Sequence, residues 1–231
     1  MSRILVDQVR SNSASGDAIT LDSNGKCAIN ATTINSLTFP TSDGSANQLL
    51  KTDGSGALSF VAPSESNLKH ISTTTISSNA SEIILANAFN EYPVYKLLMV
   101  NIRCTSDNQN MFCRCRDSGG DMTSYHRSRA AHAAGSNFSN WGEWRLIGTS
   151  VGNGGEETFC AEFNFSGFPA NQTTRYYGLS VYQANDGDPE GEFMNGSCDR
   201  TEAVVALKFY WSSGSFGGNN GKFILYGVNN A

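Results

Sequence analysis

Charged side chains are scarce in this chain. They make up 16% of its 231 residues, against roughly 25% in an ordinary globular chain, while 23 glycines and an excess of Ser, Thr and Asn supply the polar share. Helical surfaces use Glu, Lys and Arg on their solvated sides, whereas hydroxyl and amide groups suit loops and strand faces. A helical bundle or coiled coil is excluded for the bulk of the chain. Positive charge is in deficit as well, with 16 Lys and Arg against 21 Asp and Glu, a net charge of −5. With no long basic run to offset this, nucleic acid is not an expected partner. No stretch approaches about 18 consecutive apolar residues, and the start, Met1 to Asp7, reaches an acid too soon for a signal-peptide core, so neither membrane insertion nor export by the usual route is expected. Six cysteines then belong to a chain made in a reducing cytoplasm, where most of them are read as free thiols packing as small apolar groups.

What is present falls into two parts. Residues 1–65 hold only Phe39 and Phe60 as large rings and cannot enclose a core alone. They carry a repeated element: residues 19–29 (ITLDSNGKCAI) and 50–60 (LKTDGSGALSF) each read as strand, turn, strand, with Asn24-Gly25 and Gly54-Ser55-Gly56 at the turns. Small ribbons without a core need a neighbour, most simply other copies of the same chain, which gives an expected homotrimeric β stem. Residues 66–81 read as a linker or extended shaft. From 82 to 231 the chain offers eight candidate strands, at 82–89, 94–104, 110–116, 141–148, 157–166, 174–184, 202–211 and 222–229. In 157–166, Phe159, Ala161, Phe163 and Phe165 share one face and Cys160, Glu162, Asn164 and Ser166 the other. In 202–211, Val205, Leu207, Phe209 and Trp211 alternate with Val204, Ala206, Lys208 and Tyr210. Turn-rich gaps at 117–124, 149–156, 185–200 and 212–221 complete the pattern of an all-β chain whose second part is an antiparallel β-sandwich of jelly-roll type. The one helical candidate is the short stretch 128–134.

The run LTFPTSDGSANQLLKTDGSGALSFV (37–61) resembles a sequence that recurs in tail-fibre and other virion fibre proteins of bacteriophages, especially phages of marine bacteria. The end of the chain, Lys222 to Val228, is similar to the last strand of the distal β domain of such proteins, and 114–129 and 206–228 share its pattern of strand, Ser/Gly/Asp turn and aromatic. The resemblance implies a non-enzymatic virion fibre protein made in the host cytoplasm. Its N-terminal part would attach to other virion proteins on tail or capsid and trimerise, and its C-terminal domain would meet a host-surface glycan or protein. A polysaccharide-degrading tailspike and a capsid-decorating protein without a receptor role are the alternatives.

No catalytic constellation is read from the sequence. Cys113-x-Cys115 with Cys104, His126 and His132 matches no closed structural zinc spacing, the histidines lack a nucleophile context, and the glycine-rich segments lack a phosphate-binding lysine, so no metal, cofactor or catalytic residue is expected. Acids that a glycosidase would need are available at Glu143, Glu156, Glu157, Glu162, Asp186, Asp188, Glu190 and Glu192. The candidate binding residues are Tyr125, His126, Arg127, Trp141 and Trp144, aromatic and planar cationic groups beside Ser136, Asn137, Ser139 and Asn140, a composition that suits stacking on sugar rings. Trp141 and Trp144 are three apart, so a strand would send them to opposite faces, at least one into the core.

Overall fold

A computed structural model describes residues 8–9, 19–21, 27–29, 33–34, 36–63, 67–86, 89–124, 126–131, 137–155, 157–184, 186–200 and 202–229. The chain divides into two compact units, Met1–Glu65 and Ser66–Ala231. Every regular element among the described residues is a β-strand, and all of the strand pairs are antiparallel. Among the described residues no helix is long and apolar enough to cross a membrane.

The first unit holds seven short strands: β1 (Gln8–Val9), β2 (Ile19–Leu21), β3 (Cys27–Ile29), β4 (Thr33–Ile34), β5 (Leu37–Thr38), β6 (Leu49–Thr52) and β7 (Leu58–Val61). They pair as a three-stranded ribbon β1-β2-β3 and two hairpins, β4-β5 and β6-β7. Both arms of the sequence repeat are strand pairs, with Ile19 opposite Ile29 and Leu50 opposite Phe60. The turn at Asn24-Gly25 lies outside the described residues. The second turn uses the glycines as expected, Gly54 and Gly56 standing at φ 81° and 98°, where a side chain would be strained. Asp53 Oδ1 closes it by accepting from the amides of Ser55 and Ala57 at 2.7 and 2.9 Å. None of the described residues from 36 to 63 is buried.

The second unit contains β8 (Leu68–Ile76), β9 (Glu82–Ala86), β10 (Val94–Ile102), β11 (Met111–Asp117), β12 (Gly120–Asp121), β13 (His126–Ala131), β14 (Asn137–Trp141), β15 (Trp144–Arg145), β16 (Phe159–Ser166), β17 (Thr174–Gln183), β18 (Pro189–Cys198), β19 (Ala206–Trp211) and β20 (Gly221–Val228). One eight-stranded sheet runs β14-β13-β18-β17-β16-β10-β20-β8, and a five-stranded sheet consists of β12-β11-β19-β9 with β15 paired to β11. The inner faces of both sheets feed one apolar cluster. Phe209 of the smaller sheet meets Phe223 of the larger at 5.1 Å between ring centroids, and Trp211 meets Phe159 at 6.5 Å.

Alternation explains the inward faces. On β16, Phe159, Phe163 and Phe165 are buried while Glu162 is exposed; on β17, Thr174, Tyr176, Ser180 and Tyr182 are buried while Tyr177, Leu179 and Val181 are exposed. Three expectations are corrected. The stretch read as a linker holds β8, which pairs with β20 along the edge of the large sheet, its β-branched Thr73, Thr74 and Thr75 suiting a strand despite their polarity. The helical candidate 128–134 begins as strand β13, because its first residues complete a ladder with β18. The gap expected at 185–200 contains β18, ten residues long. Val205 does not share the burial of Leu207, Phe209 and Trp211: β19 starts only at Ala206, and Val204, whose amide donates to Phe168 O at 2.9 Å, is buried while Val205 is exposed.

Candidate functional site

Of the residues expected to contact sugar, His126 and Arg127 lie on β13 and Trp141 on β14 of the large sheet, and Trp144 lies on β15 beside β11. His126 stands opposite Trp141 on β14 and opposite Cys198 on β18. The chain then leaves the sheet through Gly142-Glu143 and joins the other at β15, where Cys113 faces Trp144 across the β11 ladder. Gly142 is required at this crossing, since a Cβ there would lie 2.7 Å from the Thr123 carbonyl oxygen. Trp144 therefore points into the core. It is fully buried, donates Nε1–H to Ser197 O at 2.8 Å, and packs its ring 5.3 Å from His126 and 4.9 Å from Tyr176.

His126 is fully buried as well. Its Nδ1 lies 3.1 Å from Ser124 O, and its Nε2 accepts the Cys115 amide at 3.1 Å, so both ring nitrogens are partnered as a neutral imidazole with the proton on Nδ1. As core rings, His126 and Trp144 present no face to a sugar. Arg127 is exposed, with Nε 3.6 Å from Asp199, and Arg129 is exposed on the same strand. Tyr125 and the side chain of Trp141 lie outside the described residues, as do His132, Ser136 and the side chains of Asn137, Ser139 and Asn140.

Beneath Trp144 the fold gathers three side chains that the sequence reading did not join. Cys115 of β11, His126 of β13 and Cys198 of β18 place their Sγ, imidazole nitrogen and Sγ atoms within 4.8 Å of one another, all buried. The ladders explain this meeting: Cys113 and Cys115 share the inner face of β11, and the β13–β18 register sets His126 beside Cys198. The hydrogen bond between the two thiols, then His126, pulls Cys198 down to about 5 against the opposing effect of burial. Burial, followed by the neighbouring Cys198, pushes Cys115 well above the ordinary thiol range. Residue spacing along the sequence held no signal for this cluster, because its members come from three strands of two different sheets.

The outer face of the smaller sheet carries a second polar assembly. Arg114 donates from Nε to Gly142 O at 2.8 Å and from its other nitrogens to Asp121 and Glu143, while Lys208 donates to Asp121 and Tyr210 to Glu143. Arg116 reaches Asp121 at 2.7 Å, and the Arg114 guanidinium lies 5.2 Å from the Tyr210 ring centroid. Burial and the adjacent Glu143 push the Tyr210 hydroxyl well above its ordinary range. Of the acids considered for glycoside cleavage, Glu143 is held in this network, Glu162 pairs with Lys96 at 2.6 Å, Glu192 is buried and accepts the Gly148 amide, and Glu156 lies outside the described residues.

Comparisons with protein-family models, with curated proteins and with solved structures return no match.

Proposed function

We propose that the chain is a structural fibre protein of a bacteriophage virion, a homotrimer without enzymatic activity. Its residues 1–65 form a shared β stem that attaches to other virion proteins, and its second unit is an outward-facing β-sandwich of jelly-roll type that meets the host surface. The observation that carries this reading is the absence of any buried residue among those described from 36 to 63, although the same stretch forms paired strands and holds Leu37, Leu49 and Leu50 exposed. Hairpins of this size are marginal alone and gain a core when several copies interleave. The likeness of 37–61 to phage fibre sequences points the same way. For the sandwich, the support is the single apolar cluster fed by both sheets.

A second exposed surface agrees with association between copies. Tyr177 (53% exposed), Leu179 (51%), Val181 (49%) and Phe193 (46%) form an apolar ridge on the outer face of the large sheet, where Leu179 stands opposite Phe193. Scattered single apolar residues are ordinary on a protein surface, but a contiguous group marks a contact region.

Weak host contacts suffice in such an assembly, because several copies on one particle raise avidity by roughly 10²–10⁴ without any new contact. With His126 and Trp144 in the core, Arg127 and Arg129 are exposed polar groups among the described residues of β13. The test is adsorption of a labelled, artificially trimerised 66–231 fragment to susceptible and resistant bacteria. Selective adsorption to susceptible cells supports the attachment role. Equal adsorption to both, or none to either, would leave a decorating or scaffolding module. The fragment begins at 66 because a start at 82 would remove β8 and bare the edge of β20.

A further inference from the structure

We propose that Cys115, His126 and Cys198 form a buried binding site for a thiophilic, zinc-type metal ion that ties the two sheets of the second unit together. The site is independent of the fibre reading.

Three observations carry it. The three potential ligand atoms lie within 4.8 Å of one another, and a tetrahedral ion with metal–sulfur bonds of about 2.3 Å holds its sulfurs about 3.8 Å apart, a separation that small side-chain rotations can supply. The far nitrogen of the histidine is anchored: Nδ1–H donates to the Ser124 carbonyl, so the lone pair sits on Nε2, which the Cys115 amide now engages. A backbone carbonyl on the far nitrogen is the arrangement that fixes tautomer and ring plane in metal-bound histidines. The third observation is location: the ligands sit on β11 of one sheet and on β13 and β18 of the other, at full burial. Two thiolates and an imidazole are donors that zinc takes, and their full burial between the two sheets fits an ion that holds the sheets together.

Binding has a stated cost. The Nε2 lone pair now accepts the Cys115 amide at 3.1 Å and would transfer to the ion, leaving that amide without this acceptor. Both sulfurs bind as thiolates, so uptake is coupled to proton release and weakens as the pH falls. The cluster itself supplies three ligands, and Cys113 lies on the same inner face of β11 as Cys115. A Cys115–Cys198 disulfide is the competing use of the same atoms. It would need the two sulfurs to close to about 2.05 Å, and it would leave the carbonyl-anchored imidazole without a part.

The test uses the full chain, purified under reducing conditions without chelator, and begins with elemental analysis. About one equivalent of zinc per chain is expected for a structural site. Removing the ion in mild denaturant and refolding with cobalt(II) should produce thiolate-to-cobalt charge-transfer absorption and the visible bands of a tetrahedral ion. Cys198→Ser and His126→Gln should abolish these bands, and Cys104→Ser, a buried thiol outside the cluster, should keep them. If the cluster variants fail to fold, the unmodified chain still decides. The inference is overturned if that chain carries no zinc and gives no cobalt spectrum, if Cys104→Ser loses the spectrum equally, or if the freshly purified chain contains a Cys115–Cys198 disulfide.

Discussion

Replacing Trp144 by alanine separates a core residue from a ligand-binding one. The ring is fully buried, touches His126, Tyr176 and Phe165, and its Nε1–H satisfies the Ser197 carbonyl at 2.8 Å. Truncating a buried Trp costs about 3–5 kcal/mol through lost transfer energy and the cavity left behind, and the abandoned carbonyl adds about 1 kcal/mol. A domain has only about 5–15 kcal/mol of stability in all. For a unit of this size each kcal/mol moves the melting temperature by about 2–4 °C, so the variant should melt at least about 8 °C below the parent. Trp144→Phe retains most of the ring and removes only the donor, so it should lose about 1–2 kcal/mol. Urea titration of the 66–231 fragment, followed by tryptophan and tyrosine fluorescence, reads both. A Trp144→Ala loss below about 1 kcal/mol, with reduced adsorption to cells, would refute the core assignment and restore this ring to the surface.

Three other outcomes follow from the geometry. Gly178→Ala would place a Cβ 1.9 Å from the Glu162 carbonyl oxygen, whereas at Gly191 the nearest atom is 3.9 Å away; thermal melts should show the first substitution costing about 1–3 kcal/mol or more and the second far less. Burial works against ionisation of Asp121, but Lys208, Arg114 and Arg116 outweigh it and hold its carboxyl below the ordinary value, so its stabilisation is complete above the unfolded Asp value near 3.9 and is lost as the pH drops through the lower folded value. Asp121→Asn should flatten that acid limb in stability measurements against pH, and an unchanged limb would deny the network its part. In a Cys27→Ser chain, a thiol reagent should modify the partly exposed Cys160 rapidly and reach Cys104, Cys113, Cys115 and Cys198 only on unfolding; rapid reaction of all five would contradict the burial described above.

Legibility followed the strength of alternation. The phenylalanines of β16 gave both strand and face, and the Gly54-Ser55-Gly56 turn followed from glycine chemistry alone. β18 was hidden because its ten residues, PEGEFMNGSC, read as turn material, with an acid at the buried position 192 and a phenylalanine at the exposed position 193. Tertiary pairing overrode local preference there: the strand pairs with β17 along its whole length and with β13 from Phe193 to Cys198. β8 was lost to its serines and threonines, which an edge strand accepts. At the candidate site, the three-residue offset of Trp141 and Trp144 correctly implied that at least one enters the core, while the change of sheet between them was not visible. The meeting of Cys115, His126 and Cys198 depends on how two sheets face each other, information that no local window of sequence contains.

The central claim is that residues 1–65 acquire a core only when copies of the chain share it. Sedimentation equilibrium of the intact chain at micromolar concentration tests this most directly, with the 66–231 fragment run in parallel. The intact chain should sediment with the mass of three chains and the fragment with less. An intact chain that sediments with the mass of one chain would contradict the claim.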